Sequence, residues 1–348
     1  MKTVVVVGGG ISGLKLIKDL SNNKEIKLIL IEPKDYIEVP YAQLRALVEP
    51  QTFSPKIREK YSVLIKNVQH IMTKAKKIDD NKLILANKEE VSFDYLVIAT
   101  GTSFRNWPYL KSSVKNIEKR QKEVEESALE LENASSVLII GGGSVGVELA
   151  GEIAYKYKNK EITIVDNNPR ILNGLNEKMT KRSTEILNDM GVKIINNTRL
   201  IKDKEGFYKD KTGKKYQADI IYQAVGVNIN SNWVKTSNIP LNERKAIEVE
   251  PDLRVKGYNN IFAIGDINDV PELKLGALAT MQAGLTAKNI VKLINDPEKP
   301  LKKYKPSKPM SFIPIGKKLG AVQLPFGHPH FLISIKQKDL FVSRTLKH

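Results

Sequence analysis

The chain of 348 residues contains no cysteine at all. Without a thiol it cannot run disulfide-reductase or thiol-peroxidase chemistry on its own side chains, and it cannot cross-link itself. Histidine is almost as scarce. His70, His328, His330 and His348 form no recognisable metal-ligand spacing, so no structural metal is expected. There is no run of about 18 apolar residues, the length a membrane-spanning helix needs. The first strand pattern begins by Thr3, which leaves no room for a signal peptide, and a Met-Gly start for N-myristoylation is missing. These absences lead us to expect a cytoplasmic protein whose membrane contact, if it has one, is peripheral. Acidic residues are also in deficit: 39 Asp and Glu face 56 Lys and Arg, a net charge of +17. From Pro297 onward, 11 basic residues stand against 2 acids. That tail suits an anionic lipid surface or an acidic partner, although no Lys/Arg stripe with interleaved aromatics marks a nucleic-acid site.

What the chain does have is concentrated at its start. Val4 to Val7 is an uninterrupted β-branched run, as expected of a parallel strand buried on both faces. Gly8, Gly10 and Gly13 follow in G-x-G-x-x-G spacing, then a helix pattern with Leu14, Leu16, Ile17 and Leu20 apolar. A second apolar run, Ile26 to Ile31, ends in Glu32, 19 residues after Gly13. Strand, glycine turn, helix, strand and acid in this order form a dinucleotide fingerprint. The glycines permit a tight turn and close backbone approach to a pyrophosphate. The helix N-terminus offers free N–H groups, and the acid accepts ribose hydroxyls.

The same pattern recurs. Val137 to Ile140 precedes Gly141, Gly143 and Gly146, a helix follows, and Ile162 to Val165 ends in Asp166, 20 residues after Gly146. Between the two fingerprints, a strand over Tyr95 to Ala99 stops in Thr100-Gly101. Beyond the second, Ala224-Val225-Gly226 repeats that stop, and NIFAIGD ends in Gly265-Asp266. Helices are expected over 114–132, 177–190 and 273–295, and strand-like runs at PMSFIPIG and HFLISI near the end.

Fingerprint, ATG, fingerprint, second glycine stop and an isolated Gly-Asp together resemble the two-dinucleotide-binding flavoproteins. PKDYIEVPYAQLRALVEP, with Lys34-Asp35 and Gln43-Leu44-Arg45-Ala46, and the tail segments LGAVQLPFG (319–327) and DLFVSRTLK (339–347) narrow the resemblance to the apoptosis-inducing-factor-like quinone reductases. The likeness implies an α/β fold with two Rossmann-like domains and a small C-terminal α+β segment. A discontinuous FAD domain would comprise 1–105 and 246–305, with an inserted NAD(P)H domain at 106–245. The segment 306–348 would serve quinone or membrane access through Phe312, Ile313, Ile315, Leu324, Phe326, Phe331 and Leu332.

The resemblance further implies non-covalent FAD held by the first fingerprint, Arg45, Thr100, Gly101, Gly265 and Asp266, the last on the ribityl chain. NADH would be held by the second fingerprint and Gly226. Asp166 favours NADH, while the nearby Arg170 keeps NADPH open as an alternative. Glu148 is the expected catalytic carboxylate, near nicotinamide and flavin, and Glu152 is read as structural. Lys111 aligns too loosely with the family to be placed. The activity implied is hydride transfer from NADH to FAD and then electron transfer to a quinone. Two other readings remain: an NADH-dependent reductase of an acidic ferredoxin-like carrier, and an NADH-sensing death-signalling or nucleic-acid-binding flavoprotein. A homodimer is compatible with all three.

Overall fold

The computed structural model describes residues 1–307 and 310–346. Lys308 and Pro309 of the polar linker, Lys347 of the second tail segment and His348 lie outside the described residues. Two parallel sheets organise the chain. In the first, strand Lys2–Val7 is central. It pairs with Ile26–Ile31 on one side and Tyr95–Ile98 on the other, and Gln69–Ile71 and Ile261–Ala263 form the edges. Val4, Val5 and Val6 are fully buried because both faces of this strand are covered, which is why the run does not alternate. Helices Ile11–Leu20 and Gly276–Asn295 close one face through Leu14, Ile17, Ala283 and Ile290. An antiparallel sheet of Ala75–Asp79, Lys82–Leu85 and Glu90–Ser92 closes the other through Ile78, Leu83 and Leu85.

The second sheet has the order Lys193–Ile195, Glu161–Val165, Ser136–Ile140, Ile220–Gln223, all parallel. Between the two sheets the chain passes outward through Thr102–Phe104 and back through Val227–Ile229. These two strands pair antiparallel, with Ser103 opposite Asn228. Helix Ile117–Asn133 is capped by the Asn116 side chain, which accepts from the Lys119 amide. Its Arg120 is fully buried. The guanidinium donates to Glu38 and to the Tyr109 carbonyl, and Glu38 also accepts from Arg58 and Gln43.

The C-terminal segment differs from the pattern read in the sequence. PMSFIPIG does contain a strand, Ser311–Ile315, but its partner is Leu319–Gln323. HFLISI is helical instead: a 3-10 turn at His330–Leu332 runs into an α-helix at Ile333–Gln337. Strand alternation would bury Phe331 and Ile335 with Ile333. The helix instead turns Ile333, Lys336 and Gln337 inward together, because the two polar groups find buried partners described below. Ile313 and Ile315, expected on an access surface, are core residues at 2% and 1% exposure.

This hairpin lies on helix Ser144–Lys156 at Gly151. A Cβ built there would sit 2.7 Å from Ile315 Cγ2 and 2.8 Å from its Cα. Gly151→Val should therefore lower stability by about 1–3 kcal/mol, the usual cost of overpacking. Thermal unfolding of the variant measures this, and an unchanged midpoint would disprove the contact.

Candidate functional site: paired nucleotide cradles and a buried acid

The two glycine turns are built alike. Gly8 and Gly141 have φ of +106° and +113°, the left-handed region that favours glycine. A Cβ at Gly8 would lie 2.5 Å from the Ala99 carbonyl oxygen, and one at Gly141 would lie 2.5 Å from Val225 Cγ1. A Cβ at Gly13 would collide with the Gly8 carbonyl oxygen, and one at Gly146 with that of Gly141, so each helix is pressed onto its own turn. The middle glycines are different. Around Gly10 and Gly143 a Cβ would meet nothing within 4 Å. Both are helix N-caps without a side-chain capping bond, so the first-turn N–H groups face open space. Amides left open in this way at a helix start are the kind of group that an anion such as a pyrophosphate takes.

The acids are fixed beside these turns. Glu32 Oε2 accepts from the Gly9 amide at 2.9 Å, and its Oε1 accepts from the Lys34 amide at 3.1 Å. Asp166 Oδ2 accepts from the Gly142 amide, and Oδ1 accepts from the Asn168 amide and side chain at 2.7 and 2.8 Å. Each carboxylate thus stands next to its own cradle, where a nucleotide ribose would lie.

The strand stops gather on the first cradle. Thr100 and Asn230 exchange hydrogen bonds of 3.0 and 2.9 Å, which lace the Thr100-Gly101 stop to the chain just after Gly226. Gly265 has φ of +78°, and a Cβ there would lie 2.9 Å from Ser12 Oγ in the first helix. Asp266 follows at once. Its Oδ2 accepts from Thr102 Oγ1 at 3.0 Å and lies 3.5 Å from Lys111 Nζ. Burial pushes the Lys111 ammonium below its ordinary pKa, and Asp266 opposes that shift. The N-terminus of the long helix arrives here too. A Cβ on Gly276 would be 3.0 Å from Ile11 Cδ1, so two helix N-termini converge on one place.

Glu148 is buried in the first half of helix Ser144–Lys156. Its Oε1 lies 3.2 Å from Lys336 Nζ, which also donates to the Phe312 carbonyl at 2.9 Å. Burial holds the Glu148 carboxyl above the usual carboxylate range. The Lys336 ammonium opposes this, while Glu152 adds to it. Nothing in the sequence pattern marked Lys336, which lies 188 residues away. The one signal was that a buried acid needs a cation, set beside a lysine-rich tail.

Arg45 requires a correction. Its guanidinium is not free for a cofactor. It grips Glu152 Oε1 at 2.9 Å through Nη2 and 3.1 Å through Nε, and donates to the Gln337 carbonyl and side-chain oxygens at 3.0 and 2.8 Å. At 4% exposure it ties helix Gln43–Val48 to the second fingerprint helix and to the C-terminal helix. Among the described residues no group of three or more His, Asp or Glu could hold a metal, and no helix is long and apolar enough to cross a membrane.

The empty space beside the middle glycines sets a test. Gly10→Ala should fold with a melting curve close to wild type yet purify with little FAD. Gly143→Ala should keep its FAD and lose reduction by NADH. Absorbance at flavin wavelengths measures both, and full FAD content in Gly10→Ala would remove the first cradle from this role.

A family model described as pyridine nucleotide-disulphide oxidoreductase matches residues 2–283. Apoptosis-inducing factor homolog A of Dictyostelium discoideum is 34% identical over all of this chain and 91% of its own length. Ferroptosis suppressor protein 1 of Homo sapiens is 28% identical, covering 99% of this chain and 95% of its own. Among solved structures, the sulfide:quinone oxidoreductase of Aquifex aeolicus superposes with a TM-score of 0.79 at 19% identity, over 99% of this chain and 92% of that one. NDH2 of Plasmodium falciparum, solved with NADH, also gives 0.79, at 15% identity over 99% and 95%. The cysteine-free chain lacks the thiols that half of the family's title describes, but its two glycine turns are those of a dinucleotide enzyme. It belongs to the pyridine nucleotide-disulphide oxidoreductase family, in the apoptosis-inducing-factor-like group, and is an FAD- and NAD(P)H-dependent oxidoreductase.

Proposed function

We propose that the protein is an NADH:quinone oxidoreductase that works at an anionic membrane surface. The observation that carries this reading is the buried Glu148 carboxyl beside the second cradle, joined through Lys336 to the C-terminal segment in a chain with no thiol to receive electrons. FAD, when bound, would supply the redox chemistry between a nicotinamide and an electron acceptor. The residues do the rest. The amides at the start of helix Ile11–Leu20 bind the flavin dinucleotide's pyrophosphate, and Glu32 accepts its ribose hydroxyls. Asp166 does the same for the nicotinamide dinucleotide and repels a 2′-phosphate, which favours NADH over NADPH. Asp266, backed by Thr102 and Lys111, takes the ribityl hydroxyls.

A quinone needs protons as well as electrons. The Glu148 carboxyl, whose proton affinity burial raises above the usual carboxylate range, can take up a proton at Oε1 or Oε2 and release it toward an acceptor. Lys336 orients that carboxyl. As pH rises through the raised Glu148 value the proton is lost, so quinone turnover should fall on the alkaline side. The basic surface suits the anionic bilayer in which an isoprenoid quinone resides.

The test is anaerobic reduction of the yellow protein by NADH, then turnover with ubiquinone and menaquinone analogues, with and without anionic liposomes. We expect bleaching by NADH and faster quinone turnover on liposomes. Glu148→Gln should bind FAD normally, lose turnover by roughly 10²-fold and lose the alkaline limb of the pH profile. Unchanged turnover in Glu148→Gln removes its role. Faster reduction of an acidic ferredoxin-like carrier than of any quinone would move the acceptor assignment to that carrier.

A further inference from the structure

The C-terminal segment exposes apolar side chains where a packed segment would hide them. Phe326 and Phe331 are 83% and 77% exposed, while the other seven of the nine phenylalanines are buried or half-buried. Phe326 sits at the tip of a tight turn closed by hydrogen bonds of 2.8 and 3.2 Å between Leu324 and Gly327. Phe331 and Ile335 are four residues apart on the continuous helical stretch from His330 to Gln337, so they leave it on the same side, with Ile335 at 55% exposure. The opposite side is anchored. Ile333 packs onto Gly320, the Gln337 side chain donates to the Leu319 carbonyl at 2.7 Å, and Lys336 meets Glu148. These apolar groups are therefore held out on fixed backbone.

Their surroundings are cationic. From residue 317 to 346 the chain has Lys317, Lys318, Lys336, Lys338 and Arg344 against the single acid Asp339. That acid is occupied as the acceptor for the Ser343 amide at 2.9 Å. Lys318 and Lys338 are exposed on either side of the apolar groups in sequence. Aromatic and aliphatic tips beside unpaired ammonium groups match the boundary between acyl chains and anionic headgroups.

We infer that Phe326, Phe331 and Ile335 are the docking surface of this protein on an anionic bilayer, entering the headgroup boundary while Lys318 and Lys338 bind lipid phosphates. This rests on the membrane part of the proposed function and gives it an address, but it does not depend on quinone being the acceptor. One short helix then has two jobs: its outer side meets lipid, and its inner side presents Lys336 to the buried acid.

The experiment is flotation of the full-length, FAD-loaded protein with vesicles of phosphatidylcholine alone or with about 30 mol% phosphatidylglycerol, an anionic fraction large enough to set a negative surface potential. Wild type should float with the anionic vesicles and stay behind with the neutral ones. The triple variant Phe326→Ser, Phe331→Ser, Ile335→Ser should lose binding by roughly tenfold or more, as expected when buried apolar area is removed. Its ferricyanide reduction by NADH should stay within about twofold of wild type, because none of the three touches the cradles. Val63→Ser, which removes another exposed apolar group away from this segment, should bind like wild type. Three results would overturn the inference: equal flotation of wild type and triple variant, no flotation of wild type, or light scattering that shows the patch to be buried between two copies of the chain. Flotation without quinone turnover would uphold the docking surface and reject only the acceptor.

Discussion

The structure depends on one close approach made twice: a helix backbone pressed against the carbonyl oxygen of the turn that introduces it. Gly13 over Gly8 and Gly146 over Gly141 leave no room even for a methyl group. Because each helix starts that close to its strand, its unpaired amides converge at the strand's C-terminal end and cannot be covered by the chain's own side chains. The parallel pairing follows from the same crossover, since a strand–helix–strand connection returns the chain in the same direction and lays its helix on the sheet. The remaining glycine stops, Thr100-Gly101 and Gly265-Asp266, then bring further chain to a rim that this geometry has already created.

Around that rim the protein buries more charge than stability alone recommends. Glu38 holds both Arg58 and Arg120, Arg45 grips Glu152, and Lys336 meets Glu148, all largely removed from water. Desolvation of such pairs can match or exceed their Coulomb attraction, so their value lies in geometry. A bidentate guanidinium accepts one arrangement of its partners. The Arg45 clamp therefore fixes where the C-terminal helix rests on the second fingerprint helix, and with it the position of Lys336. The sulfur-free composition gives this placement its meaning, because electrons entering such a chain must leave it through a bound group.

How much was legible beforehand follows from the range of each interaction. The fingerprints were readable because glycine spacing, a strand run and a terminal acid act within about 30 residues of one another. The structure places Glu32 and Asp166 next to their turns for that local reason. Arg45 was read as a cofactor ligand because its neighbourhood resembled a family segment, whereas its partners Glu152 and Gln337 lie 107 and 292 residues away. The HFLISI run was misread for a related reason. Phe331, Leu332, Ile333 and Ile335 form a short apolar run that reads as a strand, yet Lys336 and Gln337 beyond them decide the conformation by the buried partners they reach. Periodicity reports which residues are apolar, and it cannot report a polar group that is buried because something distant satisfies it.

The paired strands Thr102–Phe104 and Val227–Ile229 have a mechanical consequence. Outbound and homeward crossings between the two sheets travel as a single ribbon, hydrogen-bonded along its length. The ribbon does not join the sheets alone: Leu44, Leu47 and Val48 from the first half lie in the same buried cluster as Val137, Ile139 and Val147 of the second. Arg45, reaching from the first half to the second fingerprint helix, adds a buried ion pair with Glu152 to the same junction. Backbone pairing, core packing and ion pair thereby brace the junction in three independent ways, and the spacing between the two glycine turns is set by all of them.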